Sequence, residues 1–184
     1  MTSDLFSYFP LQPTRVHEVC GAGAFSFAAI AAGESKGDVL WIRQAWRAEV
    51  LNPVGLSPYL DPSKLLIAQV KDQAEGLAAM EEALRDGSLS LVVIELSEVL
   101  GLTAGRRLQL AAKAGKTTGL CCIADGLGSN AAETRWQCSP VLDVDCSSLQ
   151  RWELVKNKSG ALKAWHVRWC TASRRLNVAP SVTE

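Results

Sequence analysis

Residues 15–33, RVHEVCGAGAFSFAAIAAG, decide the fold. The first part, RVHEVCG (15–21), reads as a short strand ending at glycine, and AFSFAAIAAG (24–33) reads as a helix stopped by Gly33. A strand, a glycine turn and a helix in that order open an α/β sheet, and the turn is where a phosphate-binding loop is built when a chain has one. Here the turn glycines Gly21 and Gly23 are present, but small and aromatic residues fill the lysine and hydroxyl slots. Without the lysine nothing offsets a triphosphate, and no Ser/Thr stands in place to hold Mg²⁺. Phe25 and Phe27 are expected where phosphates would lie, so the turn reads as a hydrophobic plug with no nucleotide or metal bound.

Outward from this unit the same rhythm repeats. DVLWIR (38–43) and KLLIAQV (64–70) are buried strands. KDQAEGLAAMEEALRDG (71–87) puts Leu77, Met80, Ala83 and Leu84 on one helical face and stops at Gly87. LSLVVIEL (89–96) has the unbroken apolar character of a central parallel strand; Glu95 at its end holds the place of a metal-positioning carboxylate, but is expected to be a solvated or hydrogen-bonded terminus. TAGRRLQLAAKAG (103–115), capped by Thr103, and strand TTGLCCIA (117–124) follow. Beyond residue 130 the helices cease. TRWQCSPVLDVD, SLQRWELVKN and ALKAWHVRWC are strand-like, and the last two flank KSG as an antiparallel hairpin with Trp165, Val167 and Trp169 on its core face. The expected fold is therefore α/β: a mostly parallel sheet flanked by helices, with antiparallel C-terminal strands. Its core covers residues 15–170, between an N-terminal extension (1–14) and a flexible basic tail (171–184).

Gly115-Lys116-Thr117 spells the end of a phosphate loop, but a helix precedes it and a strand follows. That order is the reverse of the working one, and position 110, where the first glycine belongs, is leucine. GKT is a helix-ending turn.

Nineteen basic and nineteen acidic residues balance over the 184-residue chain, yet residues 1–149 carry 12 Lys/Arg against 17 Asp/Glu, while residues 150–175 carry seven Lys/Arg against Glu153 alone. A basic end on an acidic body suits an anionic partner, nucleic acid or an acidic protein surface. No apolar run reaches the length of a membrane span, and the N-terminus lacks a basic-then-apolar export signal. Cys20, Cys121, Cys122, Cys138, Cys146 and Cys170 form no C-x-x-C pair and read as reduced thiols of a cytoplasmic protein.

The order HEVCG, DVLWIR, GLAAMEEALRDGSLSLVVIELSEVL, RRLQLAAKAG and WELVKNKSG resembles the core of the RecA recombinase family. Within that superfamily VHEVCGAGA and the short chain look most like ImuA, the SulA-related accessory proteins of bacterial mutagenesis operons. The resemblance implies a cytoplasmic, damage-induced role in translesion synthesis, beside RecA, an inactive Y-family polymerase homologue (ImuB) and an error-prone replicative-type polymerase. It also shows what is missing for catalysis. The acid that would activate water is replaced in RQAW by Gln44, and the DNA-contacting loop is cut to DGLGSNAAE. The expected function is a non-catalytic adaptor; the alternatives are a SulA-type division inhibitor and a RecA-family ATPase.

VKNK matches the strand whose lysines, in RecA filaments, reach the neighbouring protomer's ATP. Lys156 and Lys158 are thus candidate interface residues toward RecA, with Arg174 and Arg175 of the basic end beside them. SDLFSYF (3–9) places Leu5 and Phe6 after an acid, similar to the extended peptides that insert a Leu-Phe pair into the bacterial sliding clamp, although folding onto the chain's own sheet is the stronger expectation. Any direct DNA binding is expected to be weak, unspecific and steeply salt-dependent.

Overall fold

The computed structural model describes residues 4–143 and 147–180, so Cys146 lies outside the described residues. It holds nine strands in one sheet: β1 (Val16–Cys20), β2 (Val39–Gln44), β3 (Leu65–Val70), β4 (Leu91–Glu95), β5 (Thr118–Cys122), β6 (Thr134–Pro140), β7 (Leu149–Asn157), β8 (Lys163–Cys170) and β9 (Arg175–Ala179). The order is β3-β2-β4-β5-β1-β6-β7-β8-β9. Neighbours are parallel from β3 through β6 and antiparallel from β6 to β9, as the change of rhythm after residue 130 implies.

Helices cover both faces of the parallel half. α1 (Ala24–Glu34) packs on one face, and α3 (Gln73–Asp86) and α4 (Leu102–Gly115) on the other; the short α2 (Pro53–Leu56) lies in the crossover from β2 to β3. Central β4 is buried along its whole length, which explains its uninterrupted apolar sequence. α3 starts on Asp72, whose carboxylate accepts from the Glu75 N–H at 2.9 Å, and ends at Gly87 in the left-handed region. No helix among the described residues is long and apolar enough to cross a membrane.

The antiparallel half hangs its tryptophans on the α1 side. Phe27 of α1 meets Trp152 at 4.6 Å and Trp136 at 5.4 Å between ring centroids, and Phe9 adds edge contacts to Phe27 and Trp152. Such pairs add about 0.5–1.5 kcal/mol each beyond burial. Trp165, Val167 and Trp169 face this core, as their alternation requires.

Several boundaries differ from the sequence reading. Gly33 does not end α1, which runs on to Glu34 with Ser35 as its C-cap. Thr103 is not the cap of α4: Gly101 occupies that position and Thr103 lies in the first turn. The segment set apart as an extension sends Leu5, Phe9 and Leu11 into the main core. The segment expected as a loose tail supplies edge strand β9, because Leu176 and Val178 alternate onto the same core as Trp169 and Val167. Cys20, Cys121, Cys122 and Cys138 are buried free thiols, and Cys170 is a partly exposed one.

GKT is the turn that ends α4. Lys116 takes the left-handed C-cap conformation (φ 57°, ψ 30°), its N–H bonds back to Ala112 O, and β5 starts at Thr118. Gly115 is required by close approach: a Cβ there would lie 1.9 Å from Leu84 O of α3.

Candidate functional site

In an open α/β sheet, ligands bind at the C-terminal ends of the parallel strands. At that edge β1 leads into Gly21-Ala22-Gly23, a three-residue turn closed by the Ala24 N–H donating to Gly21 O at 3.0 Å. Gly21 needs its left-handed φ of 89°, and a Cβ there would sit 2.3 Å from Cys138 O. The Gly23 N–H, which in a phosphate cradle would point at a ligand, donates to Cys138 O at 2.9 Å. The backbone of β6 therefore takes up this N–H and packs directly against the turn.

The two phenylalanines expected there separate. Phe27 points into the core and is fully buried. Phe25 stays at the rim, 47% exposed, its ring parallel to Trp41 within 6° at a centroid distance of 6.2 Å. Of the two phenylalanines, only Phe25 stays exposed at this edge.

Next to it lies a buried ion cluster that sequence reasoning missed. Glu95, at the end of β4, accepts from Trp41 Nε1–H at 2.9 Å and from Arg43 Nη2 at 3.4 Å. Arg43 Nε and Arg47 Nε lie 3.3 and 3.2 Å from its two carboxylate oxygens. Two guanidinium groups thus neutralise the carboxylate from within the chain, at a sheet position where a metal-binding acid would otherwise face solvent. Gln44, expected in the place of a water-activating acid, donates through Nε2 to Ser97 Oγ at 3.1 Å. The signal was present as two arginines in RQAWR and an acid closing the β4 strand. Linking them required the knowledge that β2 and β4 are neighbours.

A second buried network supports β1. His17 Nε2–H donates to Gln12 O at 2.8 Å, and its Nδ1 accepts from the Thr134 hydroxyl at 2.7 Å; that hydroxyl accepts from Trp136 Nε1–H at 3.1 Å. Burial holds the imidazole neutral and lowers its pKa to about 4. Glu18 is fully buried and accepts from the Ser129 N–H and from Arg135 Nε, both at 2.8 Å. Burial also raises the Cys20 thiol to about 11, so it carries no nucleophilic thiolate. Among the described residues no group of three or more His, Cys, Asp or Glu could hold a metal ion.

The candidate interface lysines lie at the opposite end of the sheet from the glycine turn. Lys156 is paired with Arg135, and the backbone of Lys158 bonds to Glu133, whose own N–H bonds to Val16 at the start of β1. Both ammonium groups fold onto one loop: Lys156 Nζ donates to Ala132 O, and Lys158 Nζ to Ala131 O at 2.7 Å. Partial burial, then the neighbouring charges of Lys158 and Arg135, lowers the Lys156 pKa. Arg174 sits in the β8–β9 turn with φ 48° and donates to Ser57 O at 3.0 Å; Arg175 opens β9 opposite Cys170. Leu5 and Phe6 part company, Leu5 fully buried and Phe6 60% exposed, within a 3-10 turn rather than an extended peptide. Phe6 and Arg175 line one small cavity of about 170 Å³, whereas the lysine pair stands apart from them.

No family model matches the chain. Over 124 residues it is 32% identical to the proteins named Protein ImuA in two strains of Caulobacter vibrioides, a match that covers 67% of this chain and 48% of those relatives. The chain is ImuA-like. It spans about half the length of the curated relatives it matches. The likeness agrees with the ImuA resemblance carried by VHEVCGAGA and the short chain.

Proposed function

We propose that this chain is a non-catalytic, RecA-like adaptor of damage-induced translesion DNA synthesis. It would act in the cytoplasm through RecA, an ImuB-type inactive polymerase homologue and an error-prone polymerase. Likeness to proteins named ImuA supports the mutagenesis setting. The observation that carries the non-catalytic part is the glycine turn packed on Cys138 O, which takes up the Gly23 N–H, together with the missing phosphate-loop lysine. Charge agrees with it. The strand ends and loops at this edge (residues 43–49, 71–75, 95–98 and 123–125) carry six carboxylates against three cations, a field that repels a nucleotide.

Lys156 and Lys158 form the working contact toward RecA in this reading. The two ammonium groups sit on a sheet end far from the chain's own turn and exchange their Ala131 and Ala132 carbonyls for an anionic group on the RecA protomer. Filaments of RecA on single-stranded DNA test the contact. Wild-type chain is expected to shorten them and Lys156→Ala/Lys158→Ala to leave them intact. Equal effects of the two proteins would remove the lysines from the mechanism.

A further inference from the structure

The edge of the sheet beside the glycine turn is not a finished surface. Trp46, just past β2, is 64% exposed, and Phe25 on the far side of the ion cluster is nearly half exposed. One chain of contacts joins them: Phe25 stacks on Trp41, Trp41 donates to Glu95, Glu95 pairs with Arg47, and the Arg47 guanidinium lies 5.3 Å from the centroid of the Trp46 ring. Three buried polar atoms here have no hydrogen-bond partner, Nε of Arg43, Nε of Arg47 and Oε1 of Gln44; among the described residues these are the only such atoms. The two arginine Nε atoms face Glu95 oxygens at 3.3 and 3.2 Å, so only Gln44 Oε1 lacks a counterpart within the chain, and native interiors rarely leave such a group unmet.

We infer that this edge docks a partner segment led by arginine or lysine. The sign of the field selects the occupant: the same six-to-three excess of carboxylates that repels phosphate attracts a cation. Glu49 and Glu98 are exposed and form no ion pair among the described residues, so they are free to meet it. An exposed tryptophan supplies the ring face that a guanidinium or ammonium group prefers, and tryptophan beside arginine is the usual make-up of an interface hot spot. Nucleic acid does not fit: its phosphates meet the wrong charge. A second copy fits less well than a basic partner, because this acidic edge facing its own image would set like charges together. The inference does not depend on the role of Lys156 and Lys158, which lie at the other end of the sheet.

The full chain can be titrated with the peptide acetyl-(Arg-Gly)₄-amide while the indole N–H resonances are followed by NMR. Acetyl-(Glu-Gly)₄-amide and an oligo-dT strand serve as controls. Arginine peptide is expected to bind and shift the Trp46 indole signal. Trp46→Ala should weaken binding by roughly tenfold or more, and Glu49→Gln/Glu98→Gln by about threefold to tenfold with a flatter salt dependence. Both variants alter exposed side chains and should keep the fold. Four results would overturn the inference: no binding of the arginine peptide, equal binding by wild type and both variants, a Trp46 indole shift caused by oligo-dT or the glutamate peptide titrated alone, or a self-association that Trp46→Ala abolishes.

Discussion

Trp41 Nε1–H donates to Glu95 Oε1 at 2.9 Å and so ties the middle of β2 to the end of β4 near the C-terminal ends of the parallel strands. With Arg43 and Arg47 on the same carboxylate, Glu95 serves the fold. Removing one member of a buried ion cluster leaves its partners charged and unpaired, at about 3–5 kcal/mol. Glu95→Ala should therefore lower the stability measured by urea unfolding by about that much, and Glu95→Gln by less, since an amide still accepts from Trp41. A loss under about 1 kcal/mol for Glu95→Ala would show that the cluster is not structural.

His17 makes stability pH-dependent. Its folded pKa is lowered to about 4, whereas an unfolded histidine titrates near 6.5. Between these values the unfolded chain binds more protons, so the contribution is complete above about pH 6.5 and is lost as pH falls toward 4. Wild type should lose about 2 kcal/mol more than His17→Gln between pH 7.5 and pH 5 in matched denaturant series. Parallel pH profiles for the two proteins would contradict the buried, neutral imidazole.

Leu5 and Phe6 separate two uses of the N-terminal segment. Leu5→Ala should destabilise the domain by about 2–4 kcal/mol, because the side chain is fully buried. Phe6→Ala, at an exposed position, should change stability by no more than about 0.5 kcal/mol. A clamp peptide would need both side chains free. Pull-down by the sliding clamp that depends on Leu5 and Phe6 together would mean that the segment leaves its own core.

Gly115→Ala tests whether GKT is packing rather than chemistry. The new methyl would meet Leu84 O at 1.9 Å, so α3 and α4 must part, and a loss of about 2 kcal/mol or more is expected in thermal or urea unfolding. Lys116→Ala, at an exposed left-handed position, should lose far less. Comparable losses for the two would mean that the lysine side chain carries a role of its own.

Much of this architecture was legible in the chain. The strand–turn–helix at 16–34, the apolar run of β4 and the alternation of β8 follow from local periodicity, so they could be read directly. β9 could not: RLNVA is short, and only the neighbouring β8 tells it apart from a tail. The caps were misread where backbone geometry decided over side-chain preference, as at Gly101 in place of Thr103. The site was half legible. Loss of the phosphate-loop lysine is a fact of sequence, but Glu95 meets Arg43 and Arg47 only through the β2–β4 neighbourhood. Likewise Lys156 and Lys158 could be named from VKNK, whereas their contacts with Ala131 and Ala132 depend on a loop 24 to 27 residues away.

Equilibrium binding of ATP–Mg²⁺ to the purified chain, by calorimetry or with a fluorescent analogue, bears most directly on whether the glycine turn still serves a nucleotide. No saturable binding is expected up to about 1 mM, an affinity limit near −4 kcal/mol. Submillimolar binding that disappears when Gly21 or Gly23 is substituted, in a variant that still folds, would show instead that the chain retains a nucleotide site.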